Sequence, residues 1–352
     1  MLDLARPEIR ALKAYEHARW EPGLVRLNAN ELPWRSPAEH SEAGLNRYPE
    51  PHPHALAAAL AAHYHVPASM LLPARGSDEA IDVLIRGYCR AGEDAVLICP
   101  PTFAMYATAA RIQGASVLEV PLRRSHGFAL DTAAVRTRCL AAGSPPVKLV
   151  FLCSPNNPTG NLLARADVLE LVRALEGRVL VVVDEAYIEF SAESSLSALV
   201  STHPGLAILR TLSKAHALAG ARCGSLIAHP EVIALLRKVI MPYALSQQTI
   251  EAVLRALGAE VQAQMQPHLA TLRTERALMA TRLSALPTVR HVWPSDANFL
   301  LIECDDAARL VQRAHDSGFL LRDLSAMPQL GQAVRVTLGT PEQNQRLLAS
   351  LA

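Results

Sequence analysis

The sequence predicts an α/β protein with a large domain built on a mostly parallel sheet flanked by helices and a smaller α+β domain behind it. Three observations carry that reading. From about residue 46 onward, short apolar runs alternate with segments of helical period. The runs lack polar alternation, which marks strands buried on both faces, and such strands belong to parallel sheets covered by helices. From about residue 246 the text becomes long and helical and then turns to short mixed strands and helices, in a chain of 352 residues that exceeds one simple core.

Taken in order, residues 1–45 are rich in Pro, Asn and charge without sustained periodicity, as expected of an arm packed on the small domain or on a partner subunit. The large domain, residues 46–265, contains AVLICPP, FAMYATAARIQG, ASVLEVPL, VKLVFLCSP, ADVLELVRAL, VLVVVDEAY, GLAILRTLSK and CGSLIAH, strand-like and helix-like text by turns. SQQTIEAVLRALGAEVQAQM then runs into LRTERALMATRLSAL, a helical connector. The small domain, residues 266–352, holds ANFLLIEC, AARLVQRAHDSG, FLLRDL, AVRVTLG and the closing helix PEQNQRLLASLA. No internal repeat is visible.

Composition narrows the partners. Lys plus Arg number 34 against 33 Asp plus Glu, so neither nucleic acid nor an anionic membrane is expected, and the ligands should be small. The six cysteines are scattered and form no CxxC pair, which suits reduced core residues. The charged start lacks the apolar stretch of a signal peptide, and no run reaches the length of a membrane span; the cytoplasm is the expected compartment. His52, His54, His63 and His65 have no acidic or Cys partners at ligand spacing, so no metal is expected there.

Four segments carry candidate chemistry. In RVLVVVDEAY, Asp184 ends a central strand, where open α/β sheets bind ligands; it can hold a protonated ring nitrogen or cap the next turn. In TLSKAHALAGARCGS, Lys214 follows a strand and precedes a small-residue loop. Burial there lowers an amine's pKa and frees its lone pair for imine formation, although a lysine after serine also serves as surface charge. Ser213 and Arg222 offer a hydroxyl and a fork of donors suited to phosphate. In ARGSDEAIDVLIRGY, Gly76, Ser77, Asp78 and Glu79 open a helix and form either an anion cradle or a plain N-cap. In CSPNNPTG, Asn157 directs an amide toward the strand ends, to reach a phenolate oxygen or to close an Asx-turn. Their conjunction decides, since each of the four sits at a strand end or a helix start.

Taken along the chain, as phosphate cradle, Asn turn, strand-end Asp with Tyr, then Lys with Arg, the segments resemble the fold-type I pyridoxal-phosphate aminotransferases of class I/II, over nearly the whole chain. SPNNPTG, DEAY and SKA are shared widely in that group. LNANELPW, LNRYPEPHP, PPTFAMY, VDEAYIEF and RVTLG, with the small size, are similar to the histidinol-phosphate aminotransferases of histidine biosynthesis. The resemblance implies pyridoxal 5'-phosphate as cofactor, joined to Lys214 as a Schiff base, with Asp184 at the pyridine nitrogen and Asn157 and Tyr187 at the ring hydroxyl. Ser77, Asp78, Ser213 and Arg222 would hold the phosphate, and Phe103 would stack on the ring. Tyr48 of NRYP would reach the neighbouring subunit's site, which implies a homodimer. Substrate recognition would fall to Arg322 and Arg335 with Tyr15 and Asn30 of the arm: both arginines for the phosphate of histidinol phosphate, Arg335 for glutamate or 2-oxoglutarate.

Other readings of the same scaffold stay open, namely an aminotransferase for aromatic or other amino acids and a threonine-phosphate decarboxylase. A cofactor-sensing regulator is disfavoured by the near-zero net charge and the lack of a helix-turn-helix before residue 46. His216 departs from the apolar or aromatic residue usual after SKA; it reads as packing, yet it places a titrating group two residues from Lys214.

Overall fold

The computed structural model describes all residues except 20, 22, 43 and 144. Eleven strands form two sheets among the described residues. The large sheet contains β1 (Leu71–Ala74), β2 (Ala95–Ile98), β3 (Ser116–Glu119), β4 (Val147–Cys153), β5 (Leu180–Asp184), β6 (Leu206–Thr211) and β7 (Gly224–Ile227) in the order β1-β7-β6-β5-β4-β2-β3. Only β7 runs against its neighbours. The small sheet is antiparallel, with β8 (Val289–Val292), β9 (Phe299–Cys304), β10 (Arg322–Asp323) and β11 (Ala333–Thr337) in the order β10-β11-β9-β8.

The helices are α1 (Pro7–Ala11), α2 (His54–His63), α3 (Gly76–Tyr88), α4 (Met105–Gln113), α5 (Thr132–Leu140), α6 (Arg165–Ala174), α7 (Pro230–Leu236), α8 (Gln247–Ala256), α9 (Ala259–Ser284), α10 (Ala307–Asp316) and α11 (Pro341–Leu351). The apolar strands are buried on both faces, as their lack of alternation requires. Along β5, Val181 and Val183 enter one core while Leu180 and Val182 enter the other. A third core lies under the small sheet, between Met279 and Leu283 of α9 and Leu347 and Leu351 of α11.

Two expectations are modified. The single helical connector is two helices, because Gly258 interrupts it and serves as the N-cap of α9; the boundary expected at 265/266 falls inside α9. The start of the arm docks on the large domain and not on the small one. Ala5 is buried with Ile81 and Ile85 of α3, and the Arg6 guanidinium donates to the Arg86 carbonyl at 3.0 Å. The apolar residues Met1, Leu2, Leu4 and Ile9 give that stretch a face to bury, which its general polarity concealed.

Candidate active site

The parallel strands end along one edge of the large sheet. There the segments leaving β2, β4, β5 and β6, the start of α3 and the strands β10 and β11 enclose a cleft of about 470 Å³. Ser77, Asp78, Phe103, Asn157, Asp184, Tyr187, Ser213, Lys214, Arg222, Arg322 and Arg335 all line it.

Asp184 is the last residue of β5 and only 3 % exposed. Its Oδ1 accepts from the Ala186 N–H at 3.1 Å, so the turn-capping role is real, while Oδ2 accepts from the Tyr106 hydroxyl at 2.8 Å. Burial pushes this carboxyl up to about 6, against the lowering effect of those two hydrogen bonds. Tyr106 was not singled out from the sequence. It lies in the first turn of α4, stacked on Phe151 at 4.9 Å and edge-on to Phe103 at 5.6 Å; its signal was the PPTFAMY text, three residues after the expected ring-stacking Phe.

Lys214 stands at the cleft mouth, its Nζ 5.7 Å from the centre of the Tyr187 ring. Partial burial lowers the pKa of its amine, and the neighbouring cation of Arg335 lowers it further. Asn157 links the two sides of the cleft: its Nδ2 donates to the Tyr187 hydroxyl at 3.4 Å, and its Oδ1 accepts from Nη1 of Arg335.

An anion cradle forms where α3 meets the loop after β6. Arg75 occupies the N-cap and makes no side-chain capping hydrogen bond, so Ser77 and Asp78 are not the caps of α3. Asp78 instead accepts from Nη2 of Arg222 at 3.2 Å, and Nη1 of Arg222 lies 3.4 Å from the Ser213 hydroxyl. Close approach depends on glycine: a Cβ on Gly224 would stand 2.5 Å from the Ser77 nitrogen, and one on Gly76 would stand 2.6 Å from Nη2 of Arg222. Uncapped N–H groups, a hydroxyl and a guanidinium thus converge, the set that binds a phosphate.

On the opposite wall, antiparallel pairing puts Arg322 of β10 directly across from Arg335 of β11. Like charges so placed repel, and the buried Nε of Arg335 has no hydrogen-bond partner. A pair so placed can take up an anion between its two guanidinium groups. Phe299 of β9 stands between this wall and the other: Arg335 lies over its ring at 5.4 Å, and Tyr187 meets it edge-on at 5.2 Å.

Two residues of the arm, and Tyr48 just after it, behave differently. Tyr15, Asn30 and Tyr48 do not line this cleft. Tyr15 is 71 % exposed, and Tyr48 is 53 % exposed and packs on Tyr243 at 4.8 Å. The reason is local: Glu31 of the NANE text accepts from Arg26, from Arg47 and from the Tyr48 N–H, tying the arm into a knot beside the large domain. Thr102, Leu324 and Met327 also line the cleft and escaped the sequence reading; Thr102 stands inside the PPTFAMY text, whereas Leu324 and Met327 carry no motif.

A model of the family Aminotransferase class I and II matches residues 23–351. The histidinol-phosphate aminotransferase of Xanthomonas euvesicatoria pv. vesicatoria (strain 85-10) is 47 % identical, over 100 % of this chain and 96 % of that protein. Among solved structures, L-threonine-O-3-phosphate decarboxylase from Porphyromonas gingivalis is 26 % identical with a TM-score of 0.73, covering 87 % of this chain and 90 % of that one. The histidinol-phosphate aminotransferase from Sinorhizobium meliloti, in complex with pyridoxal-5'-phosphate, has a TM-score of 0.77 over 87 % of this chain and 82 % of that one; at 24 % identity this likeness concerns the fold.

Proposed function

The chain belongs to the class I and II aminotransferases, and from that premise we propose that it moves the amino group of L-histidinol phosphate to 2-oxoglutarate, giving imidazole-acetol phosphate and glutamate in histidine biosynthesis, with pyridoxal 5'-phosphate as cofactor. The observation that carries the choice of donor is the Arg322–Arg335 register. One arginine suffices for a carboxylate, whereas two opposed arginines with an unpartnered buried N–H suit a phosphate dianion, whose charge offsets their repulsion.

The cleft fits the cofactor on its own chemistry. The glycine-dependent cradle of Ser77, Ser213 and Arg222 suits its phosphate, a buried strand-end carboxyl suits its ring nitrogen, and an amine of lowered pKa suits its aldehyde. When bound, the cofactor supplies an electrophilic carbon and an electron-withdrawing ring. Asp184 holds the ring nitrogen in its protonated form, Asn157 and Tyr187 hold the ring hydroxyl, Asp78 orients Arg222, and Phe103 covers one face. Lys214, free as an amine, takes the proton from the donor's amino-bearing carbon. Arg335 and Arg322 fix the donor phosphate, and Arg335 receives the carboxylate in the second half-reaction.

The exposed Leu24, Val25, Leu27 and Trp34 of the arm, with Tyr48 just after it, support a homodimer in which Tyr48, Tyr15 and Asn30 serve the sites at the subunit boundary. Six free cysteines agree with a cytoplasmic setting, and among the described residues no helix is long and apolar enough to cross a membrane.

A donor screen tests the reading. Histidinol phosphate, phenylalanine, tyrosine and threonine phosphate are each mixed with the cofactor-loaded protein, and recovery of the aldehyde form by 2-oxoglutarate is followed. Histidinol phosphate should react fastest; carbon dioxide released from threonine phosphate would install the decarboxylase reading instead. In the same assay Arg322→Ala should raise the KM for histidinol phosphate by roughly tenfold to 150-fold, the worth of a charge-assisted hydrogen bond of about 1.5–3 kcal/mol, and leave that for glutamate nearly unchanged. Equal effects on both substrates contradict the assigned role. Without ligand the variant should be no less stable, since it relieves a like-charge pair costing about 0.2–1 kcal/mol.

A further inference from the structure

Behind the cleft, on the reverse side of the same strand ends, lies a second polar cluster that the proposed chemistry does not use. The segments at the ends of β5 and β6 send residues both into the cleft and into this cluster: Asp184 is followed by Glu185, Tyr187 by Glu189, Thr211 is preceded by Arg210, and Lys214 is followed by His216. Arg210 is the hub. It donates to Glu189 at 2.7 Å, lies 3.7 Å from Glu185 and sits over the Tyr64 ring at 4.5 Å. Glu185 in turn accepts from the Leu196 N–H at 2.7 Å.

His216 enters this cluster through a bond of 3.0 Å between its Nε2 and Nε2 of His63, at the end of α2. One tight turn carries both Lys214 and His216. The Ala217 N–H donates to the Lys214 carbonyl at 3.2 Å, and Ala217 holds a left-handed φ of 55° although it has a side chain. A strained turn persists only where its neighbours over-determine it. Here one flank is the Leu218 N–H bonded to the Leu212 carbonyl at 3.1 Å, and the other is the His216 ring clamped by His63.

We propose that His216, through its bond to His63, is a positioning residue for Lys214: it fixes the lysine-bearing turn from behind and touches neither cofactor nor substrate. This rests on the reading of Lys214 as the cofactor-bearing lysine. The ionisable groups around the pair are Glu185 at the end of β5, Glu189 after it, Arg210 on β6, and Tyr64 and His65 beyond α2. Burial lowers the pKa of both imidazoles, so the pair is neutral near pH 7, one ring donating and the other accepting.

The test compares His216→Ala, His63→Ala, the double variant and His216→Gln with the wild type, all loaded with cofactor. His216→Ala should shift the midpoint at which the lysine-linked visible band titrates with pH, and slow single turnover at saturating donor about ten- to a hundredfold, with KM little changed. His63→Ala should do the same, and the double variant no more than either, because one linkage is lost in each case. Gln, which keeps a hydrogen bond toward His63, should restore most of the wild-type midpoint. In the cofactor-free variants, amides 212–218 should exchange hydrogen faster than in the wild type. Unchanged midpoints and unchanged exchange, or single-variant effects that multiply in the double, overturn the proposal. A wild type that never acquires the band defeats the underlying reading of Lys214 instead.

Discussion

Lys214→Ala should abolish the visible absorbance expected of the wild type with pyridoxal 5'-phosphate, and should lower turnover by at least ~10⁴-fold, because one substitution removes both the proposed covalent attachment and the proton carrier. The expectation comes from position. The amine sits at the end of β6, held down in pKa by partial burial and by the cation of Arg335, with Asp78 and Asp184 acting in the opposite sense. Among the described residues no other lysine lines the cleft. Borohydride reduction of the wild type followed by peptide mass mapping should place the cofactor at residue 214. A variant that keeps the band, or a label that maps elsewhere, removes the assignment.

Asp184→Asn should cost ~10²–10³-fold in turnover, the loss typical of one preorganised electrostatic group, because an amide cannot hold the proton on the ring nitrogen. It should have the opposite effect on the cofactor-free fold. Burial places the Asp184 carboxyl at about 6, above the 3.8 of a free aspartate. A carboxyl whose folded value is raised binds its proton more tightly when folded, so its contribution to stability is full below about pH 4 and is lost as pH rises through 6. The wild type without cofactor therefore gives up on the order of 3 kcal/mol across that window, a step that Asp184→Asn lacks. Denaturant midpoints of both proteins between pH 4 and 8 measure this. Parallel profiles would show that Asp184 does not titrate as its burial demands.

The parts legible in the sequence were those in which chemistry and position lie in one short segment. Asp184 and Lys214 follow apolar runs that can only be buried strands, so their place at the strand ends followed from the text. Contacts between distant segments were not legible. The Tyr106 hydroxyl meets an acid 78 residues away, and no local pattern announces it. Arg322 and Arg335 were each recognisable, but their direct opposition depends on the register of β10 with β11, which strand-like text does not specify. The arm misled for a different reason. Its composition is that of a loop, yet a few apolar side chains around Ala5 sufficed to dock it on α3, and the Glu31 knot drew Tyr48 toward Tyr243. His216 looked like packing because its partner, His63, lies 153 residues earlier in the chain.

Phe299 gives the two walls of the cleft a common fulcrum. Its ring is pressed edge-on by Tyr187 from the large sheet and covered by Arg335 from the small one, and it is almost wholly enclosed. The same side chain therefore sets the spacing of Arg335 and Tyr187 across the cleft. Asn157 repeats the linkage in polar form, one end of its amide on each partner. The anion-binding wall and the phenol opposite it are thus held through two shared neighbours, one aromatic and one amide.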